Sequence, residues 1–407
     1  MTGRRWARSA GTIAALAGVL ATSGTGCASE STSSLVLDGT WERVDVWEQR
    51  SSFDYDQVAT GNSDDTVVWL NRSEDDEERL TFWEIRDGEK ATDLELPTPA
   101  GTILIPVGVA ADSRGWAAVA VTRDQPNGAN TGLVAWHGPS ARSDDVQAAQ
   151  PLTSPAGQAA PPSSVSIGRS GELLAVAALY DGAPVVWSRQ GADSDPDAWQ
   201  SGAEGVDLGL DAGSGLRSLR VVGDGERLVL AGVDDAGQAH LWTSADGTTW
   251  EAVAGDDLPE ASGAVGLLAP LDKGSVAIGW LDDEESAPWN ATAATIQRLT
   301  GDEVTDEGTL EAAPDDDIER FHLTSATLSP DERLTVVGGA LRPDSDRTPM
   351  VWVQEDDSWP ATDQDELTGH LDHEFRAIVT TDDDRMVAVA TTLSHPDVES
   401  WQWRPGD

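Results

Sequence analysis

Gly171-Glu172-Leu173-Leu174-Ala175-Val176 joins a turn to a short apolar run, and the same construction recurs along the chain. Upstream it reads Gly115-Trp116-Ala117-Ala118-Val119-Ala120 and Asp64-Asp65-Thr66-Val67-Val68-Trp69. Downstream it reads Gly225-Glu226-Arg227-Leu228-Val229-Leu230 and Gly274-Ser275-Val276-Ala277-Ile278. The last two copies are Asp331-Glu332-Arg333-Leu334-Thr335-Val336 and Asp383-Asp384-Arg385-Met386-Val387-Ala388. The first residues of successive copies lie 51, 56, 54, 49, 57 and 52 residues apart. A period near fifty, repeated seven times, marks a repeat architecture. It outweighs the two or three separate domains that 407 residues would otherwise suggest.

Working outward from the turn, each unit carries the same series of strand signals. An apolar run precedes the turn, as in Ile103 to Val109, Leu216 to Val222 and Phe321 to Leu328. A third run follows the turn and its strand, and usually holds a tryptophan: Trp83, Trp136, Trp187, Trp242, Trp352 and Trp403. The fifth unit has Ala293 to Ile296 at that point. A shorter fourth segment ends the unit, with Trp199, Trp250 or Trp359 in three of them. Runs of four to eight residues rich in Val, Leu, Ile and Trp, punctuated by Gly, Asp and Pro, read as strands. No stretch of helical periodicity is long enough for a crossover, so the strands form antiparallel meanders.

Four strands cannot bury both faces of a sheet alone. Stacked radially, seven such sheets cover one another, which predicts an all-β, seven-bladed β-propeller of four-stranded antiparallel blades over residues 38–407. The tryptophans then fill the wide outer gaps between blades, since one indole buries on the order of 200 Å². The seventh unit stops after three strands at Trp401-Gln402-Trp403-Arg404. Thr40-Trp41-Glu42-Arg43-Val44 matches Thr249-Trp250-Glu251-Ala252-Val253, the fourth strand of the fourth unit. The amino-terminal strand is therefore expected to complete the last blade and close the ring.

Composition narrows the function. Seventy-two acidic residues face 26 basic ones, for a net charge of −46, and lysine occurs only at Lys90 and Lys273. Such a chain repels phosphate backbones, which excludes nucleic acid as a partner and favours a protein with a basic surface. A single cysteine excludes a disulfide framework and multi-thiolate metal sites. Acid runs such as Glu74 to Glu78, Asp315 to Asp317 and Asp382 to Asp384 fall in expected turns, where they form a solvated rim with at most weak affinity for divalent cations.

The first 26 residues differ from the rest. Arg4, Arg5 and Arg8 precede an apolar run from Ala10 to Ala21, and Ser23-Gly24-Thr25-Gly26 leads to Cys27. This is the order of a secretory signal, with an apolar core too short for a permanent membrane helix. Gly24-Thr25-Gly26-Cys27 resembles the lipobox of bacterial lipoproteins, although Gly24 stands where a leucine-like residue is usual. The resemblance implies a signal peptide over 1–26, lipidation (palmitate among the acyl groups) at Cys27, a Ser/Thr-rich tether over 27–37, and a protein lipid-anchored at the extracytoplasmic face of the cell membrane. Arg4-Arg5 is a fragment of a twin-arginine export motif.

Ser244-Ala245-Asp246-Gly247-Thr248-Thr249-Trp250 is the sharpest local motif. It resembles the Asp-box of sialidase-like propellers in a form one residue shorter than the common one. Ser244 and Asp246 would bond turn N–H groups, Gly247 would take a positive φ, and Thr249 and Trp250 would begin the next strand, with the indole packed beneath. Trp352 to Trp359 looks like a worn copy and Trp187 to Trp199 a stretched one. In that superfamily the box is structural. A sialidase also needs an arginine triad, a tyrosine nucleophile with its carboxylate partner, and an acid. Here the tyrosines are Tyr55 and Tyr180 alone, and arginines occur mostly singly in turns.

Two other motifs invite metal readings. Asp193-Ser194-Asp195-Pro196-Asp197 with Glu204 echoes a calcium loop, but Ala198 replaces the turn glycine and no helices flank it, so a solvated hairpin is expected. His370-Leu371-Asp372-His373-Glu374 could grip a metal between two histidines, and reads instead as a surface loop between blades. No catalytic, cofactor or metal residue is assigned. The sequence points to a non-enzymatic binding or scaffolding module, with a sialidase-like glycan hydrolase as the alternative.

Overall fold

The computed structural model describes residues 39–405 apart from 49–57, 64–65, 74–78, 100, 124–129, 139–149, 153–161, 191–198, 202–207, 211–213, 254–257, 260–261, 272–273, 283–290, 313–318, 342–346, 356–357, 361–372 and 393–396. The chain divides into two units, Met1–Leu35 and Val36–Asp407, and the described residues all belong to the second. The signal segment, Cys27 and the tether lie outside them, as do most of the 193–204 loop and His370.

Every regular element among the described residues is a strand, and the strands form seven antiparallel sheets. Blade 1 runs Val58–Ser63, Thr66–Ser73, Arg79–Arg86 and Glu89–Leu96; blade 2 runs Ile103–Asp112, Gly115–Arg123, Asn130–Gly138 and Gln150–Leu152. Blade 3 comprises Ser164–Ser170, Leu173–Tyr180, Ala183–Gln190 and Gln200–Ser201; blade 4 comprises Leu216–Gly223, Leu228–Asp234, Ala239–Ser244 and Glu251–Ala252. Blade 5 is Ala264–Leu271, Ser275–Leu281, Ala293–Thr300 and Glu303–Glu311. In each, the strands lie side by side in chain order, and first strands of successive blades are neighbours around the axis.

The repeated motif supplies the second strand of every blade and, in the described residues of blades 2 to 7, the turn residue before it. Gly171, Gly225 and Gly274 take φ of 60°, 96° and 72°, the left-handed region that glycine enters without penalty. In the last two blades an acidic residue does this instead, Glu332 at 64° and Asp384 at 59°. Side chains just before these turns cap them. Asp112 and Asp224 each accept two turn N–H groups, at 2.9 and 3.1 Å and at 2.9 and 2.7 Å, and Ser329 and Thr381 do the same work with hydroxyls.

Among the described residues, blade 6 shows three of its expected four strands. Its sheet holds Arg320–Leu328, Leu334–Leu341 and Arg347–Val353. Among the described residues, its outer edge is met only by an isolated bridge from Glu355 to Ser358 and by the Val353 N–H bonding the Pro360 carbonyl at 3.4 Å. An outermost strand has one neighbour and bends away readily. Those of blades 3 and 4 are likewise only two residues long.

Blade 7 is assembled from both ends of the sequence. His373–Thr380, Met386–Thr392 and Asp397–Pro405 form three strands, and Gly39–Glu48 pairs antiparallel with the last from Gly39 opposite Pro405 to Glu48 opposite Asp397. A bulge between Arg43 and Asp45 accommodates the twist. Trp41 becomes buried against Phe375, ring centroids 5.8 Å apart.

Seven hydrophobic clusters fill the seven seams, one between each pair of successive blades, including blade 7 against blade 1. The third-strand tryptophans sit in these seams, each against the preceding blade. Trp136 and Trp242 also donate their indole N–H to backbone carbonyls of Pro97 and Leu208, both at 2.9 Å. At the seam before blade 5, Trp280 from the second strand takes the missing tryptophan's place and donates to Gln297 at 2.8 Å.

Candidate functional site

The first strand of each blade has one neighbour in its own sheet, so its other edge of N–H and C=O groups faces the axis. Such an edge must find partners. Hydroxyls from the preceding blade supply several of them. Ser166 Oγ donates to the Val221 carbonyl and accepts the Val221 N–H, both at 3.1 Å, and Ser164 Oγ donates to Leu219 O at 3.0 Å. Ser218 accepts from Val265 N–H at 3.0 Å, Thr324 donates to Phe375 O at 2.8 Å, and Ser325 accepts from Ile378 N–H at 3.2 Å. These small polar residues were not singled out in the sequence. The clearest signal is Ser164-Val165-Ser166-Ile167, where serine alternates with apolar residues on an innermost strand.

Inside this stapled ring lies a channel cavity of about 320 Å³, bordered by first strands of blades 2 to 7. Toward the end where the first strands begin, it meets a wider funnel of about 960 Å³ on the side of blades 2 to 5. The funnel is lined by the arginines Arg123, Arg217 and Arg220, the carboxylates Asp181 and Asp235, and serines 163, 164 and 218. Arg217 donates to the Asp235 backbone carbonyl, and the Asp235 carboxylate accepts the Gly215 N–H at 3.2 Å. Arg220 borders both cavities and is half-buried, and the removal of water lowers its guanidinium pKa from the ordinary value. At the far end, Arg169 is held by Asp112 at 2.7 Å.

The histidines and buried glutamates are engaged elsewhere. His322 Nε2 lies 2.5 Å from Glu374 Oε1, which also meets Arg376 at 3.0 Å. His373 meets Glu399 at 3.2 Å, and Arg43 from the amino-terminal strand meets it at 2.9 Å. Burial pushes the Glu399 carboxyl up, but His373 and Arg43 overcome this and hold it below the usual range. His373 and Glu374 thus open the buried first strand of blade 7, where the sequence suggested a surface loop, and they point to different partners. His240 pairs with Asp234 at 3.0 Å and stacks on Trp242. His137 is buried, and desolvation, with Arg189 and Arg169 nearby, lowers its pKa to about 4. None of these histidines and glutamates borders the funnel or the channel. Tyr180 is buried in blade 3 edge-on to Trp187, and Tyr55 lies outside the described residues. Among the described residues no group of three or more His, Cys, Asp and Glu could hold a metal ion.

The turn of Ser244 to Trp250 lies at the outer part of blade 4. Ser244 Oγ accepts the Gly247 N–H at 2.8 Å, and Asp246 Oδ1 accepts those of Thr248 and Thr249, both at 2.7 Å. The Thr249 N–H is the first cause of a carboxyl pKa held well below the usual range. Gly247 takes φ 73°, and Trp250 packs into the seam with blade 3. None of these residues borders the funnel or the channel.

No protein-family model and no curated protein matches the sequence. Solved structures resemble its fold. The β-propeller domain of Cps50 (Swd1) from Myceliophteria thermophila has a TM-score of 0.49 at 11% identity, covering 88% of this chain and 99% of that one. A chain of a mitotic checkpoint complex has a TM-score of 0.49 at 12% identity, covering 96% and 99%. A Trypanosoma rangeli sialidase reaches 0.44 at 10% identity, covering 77% of this chain and 59% of its own. At these identities the likeness concerns the propeller fold alone.

Proposed function

We propose that this protein is a non-enzymatic binding or scaffolding module, lipid-anchored through Cys27 at the extracytoplasmic face of a membrane. The observation that carries the binding reading is the funnel itself. It is an open concavity at the propeller axis, bordered by three arginines, two aspartates, serines and apolar side chains, while His240, His322 and His373 are paired with carboxylates away from it. Concave sites with a few convergent polar groups are where ligands bind. The net charge of −46 favours a basic protein surface as the partner that docks on the outer loops. Support for the anchor comes from the order of residues 1–34: arginines, a short apolar run, small residues, cysteine and a Ser/Thr tether.

Pull-down from detergent-solubilised membranes, with wild type and Cys27→Ser compared, tests this reading. Wild type is expected in the membrane fraction with a bound protein partner, and Cys27→Ser in the soluble fraction. Membrane association unchanged in Cys27→Ser refutes the anchor, and turnover of a fluorogenic glycoside panel refutes the non-enzymatic reading.

A further inference from the structure

Arg220 stands at the waist between funnel and channel, and no described residue bonds its guanidinium. Elsewhere in the interior, arginines have partners. Arg169 meets Asp112 at 2.7 Å, Arg298 meets Glu307 at 2.6 Å, Arg376 meets Glu374 at 3.0 Å, and Arg189 donates to Gln150 at 2.9 Å. In a chain with 72 acidic residues, a carboxylate is the partner most readily supplied. Taking a guanidinium partly out of water without a partner is unfavourable, and a hydrogen-bonded carboxylate offsets part of that cost.

Position excludes the simplest structural role. Arg220 lies 54 residues after Ser166, the interval that separates the turn glycines Gly171 and Gly225. At its level in blade 3, Ser166 staples the seam to Val221. Blade 4 is stapled to blade 5 by Ser218 instead, through the Val265 N–H. The seam therefore closes without the guanidinium, which is left bordering both cavities.

We propose that the funnel binds a small organic acid, its carboxylate held by the fork of Arg220 beneath the rim arginines Arg123 and Arg217. The proposal deepens the binding reading above and rests on it in taking the funnel to hold its ligand unchanged. A planar guanidinium matches a carboxylate with two parallel N–H donors. The volume of about 960 Å³ admits a small acid with room for water. Net charge of −46 turns away polyanions, whose charges feel it together, but a small acid escapes most of it within a Debye length of about 8 Å. Inside, three arginines outnumber the two carboxylates Asp181 and Asp235, and the Asp235 carboxylate is already engaged by the Gly215 N–H.

The test titrates the full-length chain with sodium succinate and sodium citrate against sodium chloride at equal ionic strength, by calorimetry and thermal melting. Saturable binding is expected for at least one acid, with a melting temperature that rises with the logarithm of its concentration. Arg220→Gln is expected to weaken that affinity at least tenfold, while Arg333→Gln, which removes a guanidinium paired with Asp331 and Glu355 away from the funnel, leaves it unchanged. If Arg220→Gln does not fold, Arg220→Lys keeps the charge without the fork and must still weaken binding. Absence of saturable binding, or binding indifferent to Arg220, overturns the proposal. NMR of the recovered ligand separates the two readings: an altered ligand with Arg220 dependence intact supports the site and overturns only the non-enzymatic function.

Discussion

Blade 4 and blade 7 both need an outermost strand, and they obtain it in opposite ways. In blade 4 the strand follows a tight turn fixed by Ser244, Asp246 and Gly247, and it is two residues long, Glu251–Ala252. In blade 7 it comes from the other end of the chain and is ten residues long, Gly39–Glu48, paired along almost its whole length. A turn holds its strand by connectivity, so few ladder bonds suffice. A strand with no covalent link to its partner must be retained by pairing and packing alone. Trp41 against Phe375, Trp47 near Trp83 of blade 1 and Arg43 on Glu399 provide this.

The largest expected effect breaks blade 7. Deleting residues 39–48 exposes Trp401, Trp403 and Phe375 and reopens the ring, and the melting temperature should fall by more than any single substitution achieves. Trp41→Ala alone should cost about 3–5 kcal/mol, the usual range for truncating a buried aromatic. A melting temperature unmoved by the deletion would show that the seam between blades 7 and 1 closes without this strand.

A smaller effect belongs to blade 4. Asp246→Ala removes two charge-assisted bonds to turn N–H groups at an exposed hairpin, for about 1–2 kcal/mol. Urea unfolding should show it as a lower midpoint at unchanged slope. A loss as large as that of Trp41→Ala would mean that the local turn, rather than seam packing, holds the blade.

The smallest effect sharpens the comparison through pH. Glu399 has a folded pKa below its free value of 4.5, so its contribution is present at neutral pH and is lost as pH falls through the folded value. Arg43→Gln weakens that depression. Because Arg43 is nearly half exposed, the difference from wild type should be about 1 kcal/mol or less at pH 7, and should vanish in strong acid. Melting curves from pH 7 to pH 3 check this. A difference that grows on acidification would contradict the sign.

Much of the architecture was legible because it is periodic. Each second strand begins at a glycine or acidic turn, and each third-strand tryptophan meets the preceding blade, so seven similar segments report one geometry seven times. Trp280 was not legible, because it fills the gap before blade 5 from a neighbouring strand that the repeat does not mark. The His322–Glu374 and His373–Glu399 pairs were hidden for another reason: their members lie 52 and 26 residues apart and meet only across a seam or across strands of one blade.

The candidate site was the least legible part. Arg123, Arg217 and Arg220 are ordinary single arginines in the sequence, and nothing in their spacing sets them apart from those in turns. Local pattern is enough to make strands, turns and blade count, since these depend on propensity and on the need of each sheet to cover its faces. Which side chains converge on the axis, and which of them is left without a carboxylate there, depends on seven first strands brought side by side from segments some fifty residues apart. Only closure of the ring settles that.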